Sequence, residues 1–248
     1  MLAIRRSHNN LFLDKSDRER CLVHWYLIHG AVSSPLTWSQ QLRILPRVIR
    51  ATLPPLRDVA ASQLIDAWAD TCLGELTEPS IVMGHSLGGA IAQLMALKCP
   101  TLVRGLVLVG TGPRLPVNPA LLQALKHTPR QALERIVRWS LSSRIDSVFL
   151  SNSLSQVQTY DVERAYREFL ACDEFDLSAQ LRDVACPVAL VGADEDRMTP
   201  IALMQEFHQV WPTAPLFQVQ NAGHMMMLEQ PKQFNDIILR IMRDFGWE

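Results

Sequence analysis

The chain has 248 residues, a hydrophobic share of 48% and a formal net charge of −1. This length is enough for one α/β domain with a sizeable core, and the balanced charge excludes a global attraction to nucleic acid or to an acidic surface. The five cysteines form no Cys-x-x-Cys pair, so neither a disulfide framework nor a metal site is predicted.

The first part of the chain alternates between apolar runs, which predict strands, and helical patterns. A near-continuous apolar run from Cys21 to Ile28 predicts a strand that is buried on both faces. The other elements predicted here are an edge hairpin formed by Met1 to Ile4 and Leu11 to Leu13, a short helix from Trp38 to Leu45, a strand from Arg47 to Leu53 and a helix from Ala60 to Leu76.

A strand, a sharp turn and a helix are predicted around the sequence Gly84-His-Ser86-Leu-Gly88. An apolar run from Ile81 precedes this motif, and the alanine-rich run Ala90 to Ala96 follows it. A serine at such a turn adopts a strained backbone, and glycine two residues away on each side leaves the space that a β-carbon would fill. The Ser86 hydroxyl would then lie at the amino end of a helix, where free N–H groups favour developing negative charge. The motif therefore predicts a nucleophilic serine.

Beyond this motif one long helical segment interrupts the alternation. A buried strand is predicted from Val103 to Val109, and the order of elements to that point indicates a parallel, doubly wound α/β sheet. Residues 113–183 show only helical patterns, so we expect an all-helical insertion in a core formed by residues 1–112 and 184–248. The remaining predicted elements are helices from Ala120 to Lys126, Arg130 to Leu141 and Val162 to Leu170, strands from Val188 to Val191 and Leu216 to Gln220, and helices from Ile201 to Val210 and Pro231 to Phe245.

A nucleophilic serine needs a base to take its proton, and the base needs an acid to orient it. In sheets of this kind both lie in loops after later strands, in the order serine, acid, histidine. Of the seven histidines, only His224 follows the last predicted strand. Asp194 and Asp196 both follow the strand before it. Chain order alone therefore predicts His224 as the base and leaves both carboxylates open as the acid.

These motifs resemble the α/β-hydrolase superfamily, in its branch of small lidded esterases and carbon–carbon hydrolases. The resemblance covers nearly the whole chain and implies an α/β-hydrolase fold. The chain departs from the family at residues 53–58, Leu-Pro-Pro-Leu-Arg-Asp, where relatives usually carry a Pro-Gly-His-Gly turn. The resemblance depends on His29-Gly30 after a strand, Trp38, the motif around Ser86, an acid before Thr199-Pro200, and Gly223-His224.

The resemblance implies a catalytic triad. Ser86 would be the nucleophile, His224 the general base and then acid, and Asp196 the residue that orients the imidazole. Family members usually place the acid four residues before the proline, which favours Asp196. Asp194 remains the alternative, because the loop is one residue longer than is common.

The resemblance also implies groups that contact the substrate. The backbone N–H groups of Ala31 and Leu87 would form the oxyanion hole, and Met225, beside the base, is a candidate for lining an apolar acyl pocket. No cofactor is predicted, because the chain has no phosphate loop and no Gly-x-Gly-x-x-Gly spacing. The predicted function is hydrolysis of a small carboxylic ester through an acyl-enzyme. The alternatives are a carbon–carbon hydrolase or lyase with the same triad, and a non-catalytic ligand receptor.

The insertion at 113–183 is predicted to form a lid over Ser86, and its first half is basic. Six Lys or Arg residues and one acid lie between Pro113 and Ile145. Esterases that cleave a pimeloyl-carrier-protein methyl ester in biotin synthesis have a similar lid. Arg135 and Arg138 are therefore candidates for binding substrate through an acidic acyl carrier protein or a phosphopantetheine thioester. A solvated helix face is the simpler alternative. We expect a cytoplasmic protein without a membrane partner, because no stretch approaches the roughly 18 apolar residues of a membrane span.

Overall fold

A computed structural model describes residues 23–248 of the chain. Its centre is a six-stranded, fully parallel sheet with the strand order β2-β1-β3-β4-β5-β6. The predicted hairpin between Met1 and Leu13, and the start of the predicted strand at Cys21, lie outside the described residues. The strands are β1 His24–Ile28, β2 Val48–Arg50, β3 Ser80–His85, β4 Val103–Val109, β5 Val188–Ala193 and β6 Leu216–Val219.

The strand order determines where a ligand can bind. After β1 the chain moves outward to the edge strand β2 and then returns to place β3 on the other side of β1. A crevice opens at such a switch point, beyond the carboxyl ends of the two central strands. The residues that leave these ends are His29 and Gly30 after β1, and Ser86 after β3. The doubly wound topology therefore brings the predicted serine and the predicted oxyanion loop to the same edge.

Helices cover both faces of the sheet, as a parallel sheet requires. Alternate residues of the central strands face opposite sides. Tyr26 and Val82 pack with Trp68 on one side, and Trp25 and Ile81 pack with the carboxyl-terminal helix on the other. The core helices are α1 Ala61–Glu75, α2 Leu87–Lys98, α7 Ile201–Gln205, α8 Met226–Glu229 and α9 Pro231–Phe245.

The segment between β4 and β5 contains four helices with a small core of their own, in which Leu133 and Phe169 are buried. Three of them were predicted, whereas α5 was not, because its short apolar stripe of Leu150, Leu154 and Val157 lies in a serine-rich sequence and most of its residues are exposed. The helices are α3 Pro119–His127, α4 Pro129–Ser140, α5 Ser147–Val157 and α6 Val162–Asp173.

Several predicted elements are shorter than expected. The strand predicted from Arg47 to Leu53 is limited to Val48–Arg50, at the edge of the sheet. The helix predicted from Trp38 to Leu45 is two 3₁₀ turns, Pro35–Trp38 and Gln41–Arg43. Short apolar stretches next to turns do not gain enough hydrogen bonds or buried surface to extend into regular elements.

Candidate active site

The turn after β3 has the strained geometry that its sequence predicted. Ser86 adopts φ 54° and ψ −121°, a backbone region that residues other than glycine rarely occupy. A β-carbon at Gly84 would overlap the carbonyl oxygen of Gly88, and one at Gly88 would lie 2.6 Å from the carbonyl oxygen of His29. Only glycine fits at these two positions, because the start of α2 packs closely against β1 and β3. Ser86 is the residue directly before α2.

The structure places Asp196 against His224. Its Oδ2 lies 2.8 Å from His224 Nδ1, and both residues are buried. Its Oδ1 accepts hydrogen bonds from the backbone N–H groups of Met198 and Thr199, each at 2.9 Å. Because Asp196 is held on both oxygens, it can fix the orientation of the imidazole and keep the proton on Nδ1, which leaves Nε2 as the nitrogen that can accept a proton.

Asp194, the alternative acid, lies elsewhere in the same loop. It is exposed, and its Oδ1 accepts the Ala222 N–H at 3.2 Å. Desolvation would raise the pKa of Asp194, but backbone hydrogen bonds from Asn221 and Ala222 outweigh it and lower that pKa. Asp194 therefore supports the loop that carries His224 and does not contact its ring.

Two neighbours of His224 were not singled out as site residues from the sequence. The Thr199 hydroxyl lies 2.9 Å from Asp196 Oδ2, 2.8 Å from the Gly110 carbonyl and 3.1 Å from His224 Nδ1. The His85 ring packs at 4.4 Å from the His224 ring, and its Nε2 lies 3.0 Å from the His224 carbonyl oxygen. Burial, followed by the charge of His224, lowers the pKa of His85 well below its ordinary value, so His85 is a neutral support and not a competing base.

The predicted oxyanion groups lie on either side of Ser86. Leu87 begins α2, and Ala31 lies in the turn after β1. Among residues 23–248, neither N–H donates a hydrogen bond to another protein group. No hydrogen bond within this part of the chain joins Ser86 Oγ to His224 Nε2, a contact that often tightens only when substrate binds.

A pocket of about 190 Å³ opens above Ser86. One wall comes from the loop that carries Asp196, through Met198 and Thr199, and the other comes from the insertion. Its lining is mainly apolar, as expected for a site that holds an acyl chain. The residues that the insertion contributes include Leu115, Val117, Leu121, Trp139 and Phe169.

The three substrate-binding candidates do not line this pocket. Met225 follows the base in sequence, but its side chain packs on the core cluster that contains Met226. Arg135 and Arg138 are exposed on α4, and the Arg135 guanidinium lies 5.8 Å from the centre of the Trp139 ring. Arg135 thus lies behind Trp139, a residue that lines the pocket, and Arg138 is exposed on the same helix.

The basic half of the insertion is less uniform than its sequence indicated. Arg114 pairs with Glu206 at 2.8 Å and Arg144 pairs with Glu195 at 3.3 Å, so the charges of both arginines are already paired with acids of residues 184–248. Within the described chain, Arg135 and Arg138 form no ion pair through their side chains. The positive charge that remains available is concentrated on α4.

Residues 23–248 contain neither a metal-binding cluster nor a membrane-crossing helix. No three His, Cys, Asp or Glu side chains in this range come close enough together to hold a metal ion. None of its helices combines the length and the apolar character that a membrane crossing requires.

Comparison with known proteins identifies relatives over most of the chain. A model of the alpha/beta hydrolase family matches residues 26–237. A pimeloyl-[acyl-carrier protein] methyl ester esterase from Aromatoleum aromaticum is 28% identical, with 88% of this chain and 97% of that protein covered. A protein of the same name from Chromobacterium violaceum is 26% identical over 91% and 95% of the two chains. Among solved structures, a thermophilic esterase superposes with a TM-score of 0.78 at 27% identity, covering 90% of each chain.

Proposed function

Because the chain belongs to the alpha/beta hydrolase family, we propose that it is a carboxylic ester hydrolase that acts through an acyl-enzyme on Ser86. The observation that carries this proposal is the buried hydrogen bond of 2.8 Å between Asp196 and His224, beside a serine with a strained backbone. The similarity to esterases in sequence and in structure supports the same reaction class.

The proposed reaction follows from this geometry. His224 Nε2 takes the proton of Ser86 as Oγ attacks the ester carbonyl carbon, and Asp196 stabilises the imidazolium that forms. The carbonyl oxygen becomes an oxyanion, which the free N–H groups of Ala31 and Leu87 would bind; one such donor contributes about 2.7–4 kcal/mol. His224 then protonates the leaving alkoxide, and water attacks the acyl group by the same steps in reverse.

The insertion at 113–183 is proposed as the lid that selects the acyl group. It supplies most of the apolar wall of the pocket, whereas the core supplies Ser86. Its connection from α4 to α5 is attached to α8, which follows His224, and to the loop that carries Asp196, since Ser142 N–H donates to Glu229 at 2.8 Å and Arg197 donates to the Leu141 carbonyl at 2.7 Å. A segment anchored in this way can exclude water while its other helices adjust to substrate.

We further propose that the substrate is an acyl ester carried on an acidic acyl carrier protein, with a pimeloyl methyl ester as the first candidate. Two observations support this. The relatives at 26–28% identity carry that name. Arg135 and Arg138 are exposed on α4, the helix that contributes Trp139 to the pocket, and their side chains form no ion pair in the described chain. A negatively charged carrier would be attracted to this face while its acyl chain enters the pocket.

A paired-substrate assay tests both levels of this proposal. Wild type and Ser86→Ala are compared on p-nitrophenyl esters of increasing chain length and on a carrier-linked methyl ester. We expect turnover by wild type and its loss in Ser86→Ala. The double variant Arg135→Glu/Arg138→Glu should lower kcat/KM at least about tenfold on the carrier ester alone, because its partner would meet like charge. The control is Arg104→Glu/Arg243→Glu, two exposed arginines outside the insertion.

The outcomes separate the two levels. If the Arg135→Glu/Arg138→Glu variant keeps the wild-type kcat/KM on the carrier ester as well as on the p-nitrophenyl esters, carrier docking is contradicted but the esterase function is not. Full turnover by Ser86→Ala would contradict the esterase mechanism itself. Tight binding of an acyl ligand without turnover by wild type would instead favour a ligand receptor.

A further inference from the structure

One buried carboxylate lies outside the triad and contacts the oxyanion loop. Glu168, on α6, is 1% exposed and accepts the backbone N–H of Val32 at 2.8 Å. It also accepts hydrogen bonds from the Tyr160 hydroxyl at 2.9 Å and from Arg164 Nε at 2.7 Å. The contact with Val32 joins residues 136 positions apart in the chain, one in the insertion and one in the core.

Val32 has a backbone conformation that needs external support. Its φ is 51°, which is unfavourable for a β-branched residue and persists only where the surroundings hold it. The preceding residue is Ala31, whose N–H is the proposed oxyanion donor. A change in the backbone at Val32 would therefore be transmitted directly to that donor.

Two side chains fix the two peptide groups around Ala31. His29 Nδ1 lies 2.9 Å from the Gly30 carbonyl oxygen, which belongs to the same peptide group as the Ala31 N–H. Glu168 binds the Val32 N–H, which belongs to the next peptide group. The first restraint comes from the core and the second from the insertion.

Glu168 is itself held in place and its charge is balanced. Burial raises the pKa of Glu168, and its pairing with Arg164 opposes that effect. Arg164 also donates to the Leu53 carbonyl at 3.0 Å, and Arg167 donates to the Leu56 carbonyl at 2.8 Å, so α6 is attached to the proline-containing rim loop. Because Arg164 neutralises the carboxylate, Glu168 can bind the Val32 N–H without opposing the negative charge of the oxyanion.

We propose that Glu168 is a positioning residue for the oxyanion hole, through which the insertion holds the Ala31 N–H in its catalytic orientation. This inference rests on the proposed esterase function. It assigns the insertion a second task besides shaping the pocket, since a displacement of α6 would also release the turn at Val32.

Three variants test this role. Glu168→Ala removes the acceptor, Glu168→Gln keeps a carbonyl oxygen for the Val32 N–H, and Tyr160→Phe removes one donor to Glu168 but leaves the acceptor. For p-nitrophenyl ester hydrolysis we expect Glu168→Ala to lower kcat at least about tenfold with KM changed less than about threefold, because the hole acts on the transition state. Glu168→Gln and Tyr160→Phe should keep kcat within about threefold of wild type, since both retain the bond to Val32.

Hydrogen exchange of the amides in residues 29–34 provides a readout that does not depend on activity. We expect faster exchange in Glu168→Ala, and exchange close to wild type in Glu168→Gln. The proposal would be overturned if Glu168→Ala changed neither the exchange nor kcat. It would also be overturned if all three variants lost kcat in proportion to the drop in their melting temperatures. If the wild type hydrolyses no ester but Glu168→Ala still exchanges faster than the wild type, the restraint on the loop is supported and the esterase function is what fails.

Discussion

Replacing Asp196 with asparagine tests which acid orients the base. Asp196 Oδ1 accepts two backbone N–H groups at 2.9 Å, whereas Oδ2 faces His224 Nδ1 at 2.8 Å. Asparagine can keep the first oxygen and its two hydrogen bonds, so the loop should retain its conformation. Its NH₂ group would replace Oδ2 and cannot accept a hydrogen bond from His224. The imidazole would then carry its proton on Nε2, where it cannot accept one from Ser86.

The expected loss is large because the base is held in the wrong tautomer. A loss of about 10⁴ in kcat corresponds to about 5.4 kcal/mol of barrier, the scale of such a substitution in a serine hydrolase triad. The matched control is Asp194→Asn, two residues away. Asp194 is exposed and its Oδ1 accepts the Ala222 N–H, a bond that asparagine can keep, so kcat should stay within about threefold of wild type.

The assay is steady-state hydrolysis of a short p-nitrophenyl ester, with urea unfolding to confirm that both variants fold. The reasoning would be refuted if Asp196→Asn kept more than about a tenth of wild-type kcat while folded. A larger loss in Asp194→Asn than in Asp196→Asn would assign the role of the acid to Asp194 instead.

Three further predictions concern residues around the site. Gly88→Ala should lower the free energy of unfolding by about 1–3 kcal/mol, because the new methyl group meets backbone oxygens. Its control is Gly74→Ala, whose methyl group meets nothing within 4 Å and should raise the free energy of unfolding by about 0.5–1 kcal/mol. Urea unfolding measures both. Thr199→Val should lower kcat/KM about tenfold through loss of the hydroxyl that contacts Asp196 and Gly110, and unchanged hydrolysis would contradict that role. Burial lowers the pKa of His29 from 6.5 to about 4. Between pH 6.5 and pH 4 the unfolded chain takes up a proton at His29 and the folded chain does not. The free energy of unfolding therefore falls as the pH drops below 6.5, by about 2.5 kcal/mol at about pH 4.5. His29→Gln should remove this part of the pH dependence, measured by urea unfolding.

The sheet and the serine turn could be predicted because their signals are local. Strands buried on both faces need unbroken apolar runs, as in Val103 to Val109, and these runs are visible in the sequence. The turn at Ser86 needs glycine at two fixed positions, because a β-carbon there would meet backbone. The helix α5 was missed, because its apolar stripe of Leu150, Leu154 and Val157 is short and lies among serine and asparagine residues, which are weak helix formers.

The details of the site could not be predicted, because they depend on contacts between distant residues. Chain order left Asp194 and Asp196 both open as the acid. The family's spacing to Pro200 favoured Asp196, and the fold of the loop is what brings Asp196 to His224. Met225 adjoins His224 in sequence, but its half-buried side chain packs against the core cluster that contains Met226. Glu168 lies 136 residues from Val32, and no local pattern joins them. Such pairs are determined by topology and packing, which a single sequence does not reveal.

Covalent labelling of the nucleophile tests the central claim most directly. The wild-type protein is treated with a fluorophosphonate, and the rate of adduct formation is compared with the rate at which ester hydrolysis is lost. We predict one adduct on the peptide that contains Ser86, equal rates for the two processes, and neither labelling nor hydrolysis in Ser86→Ala. Hydrolysis that persists after complete labelling, or an adduct on another residue that accounts for the loss, would contradict an acyl-enzyme on Ser86.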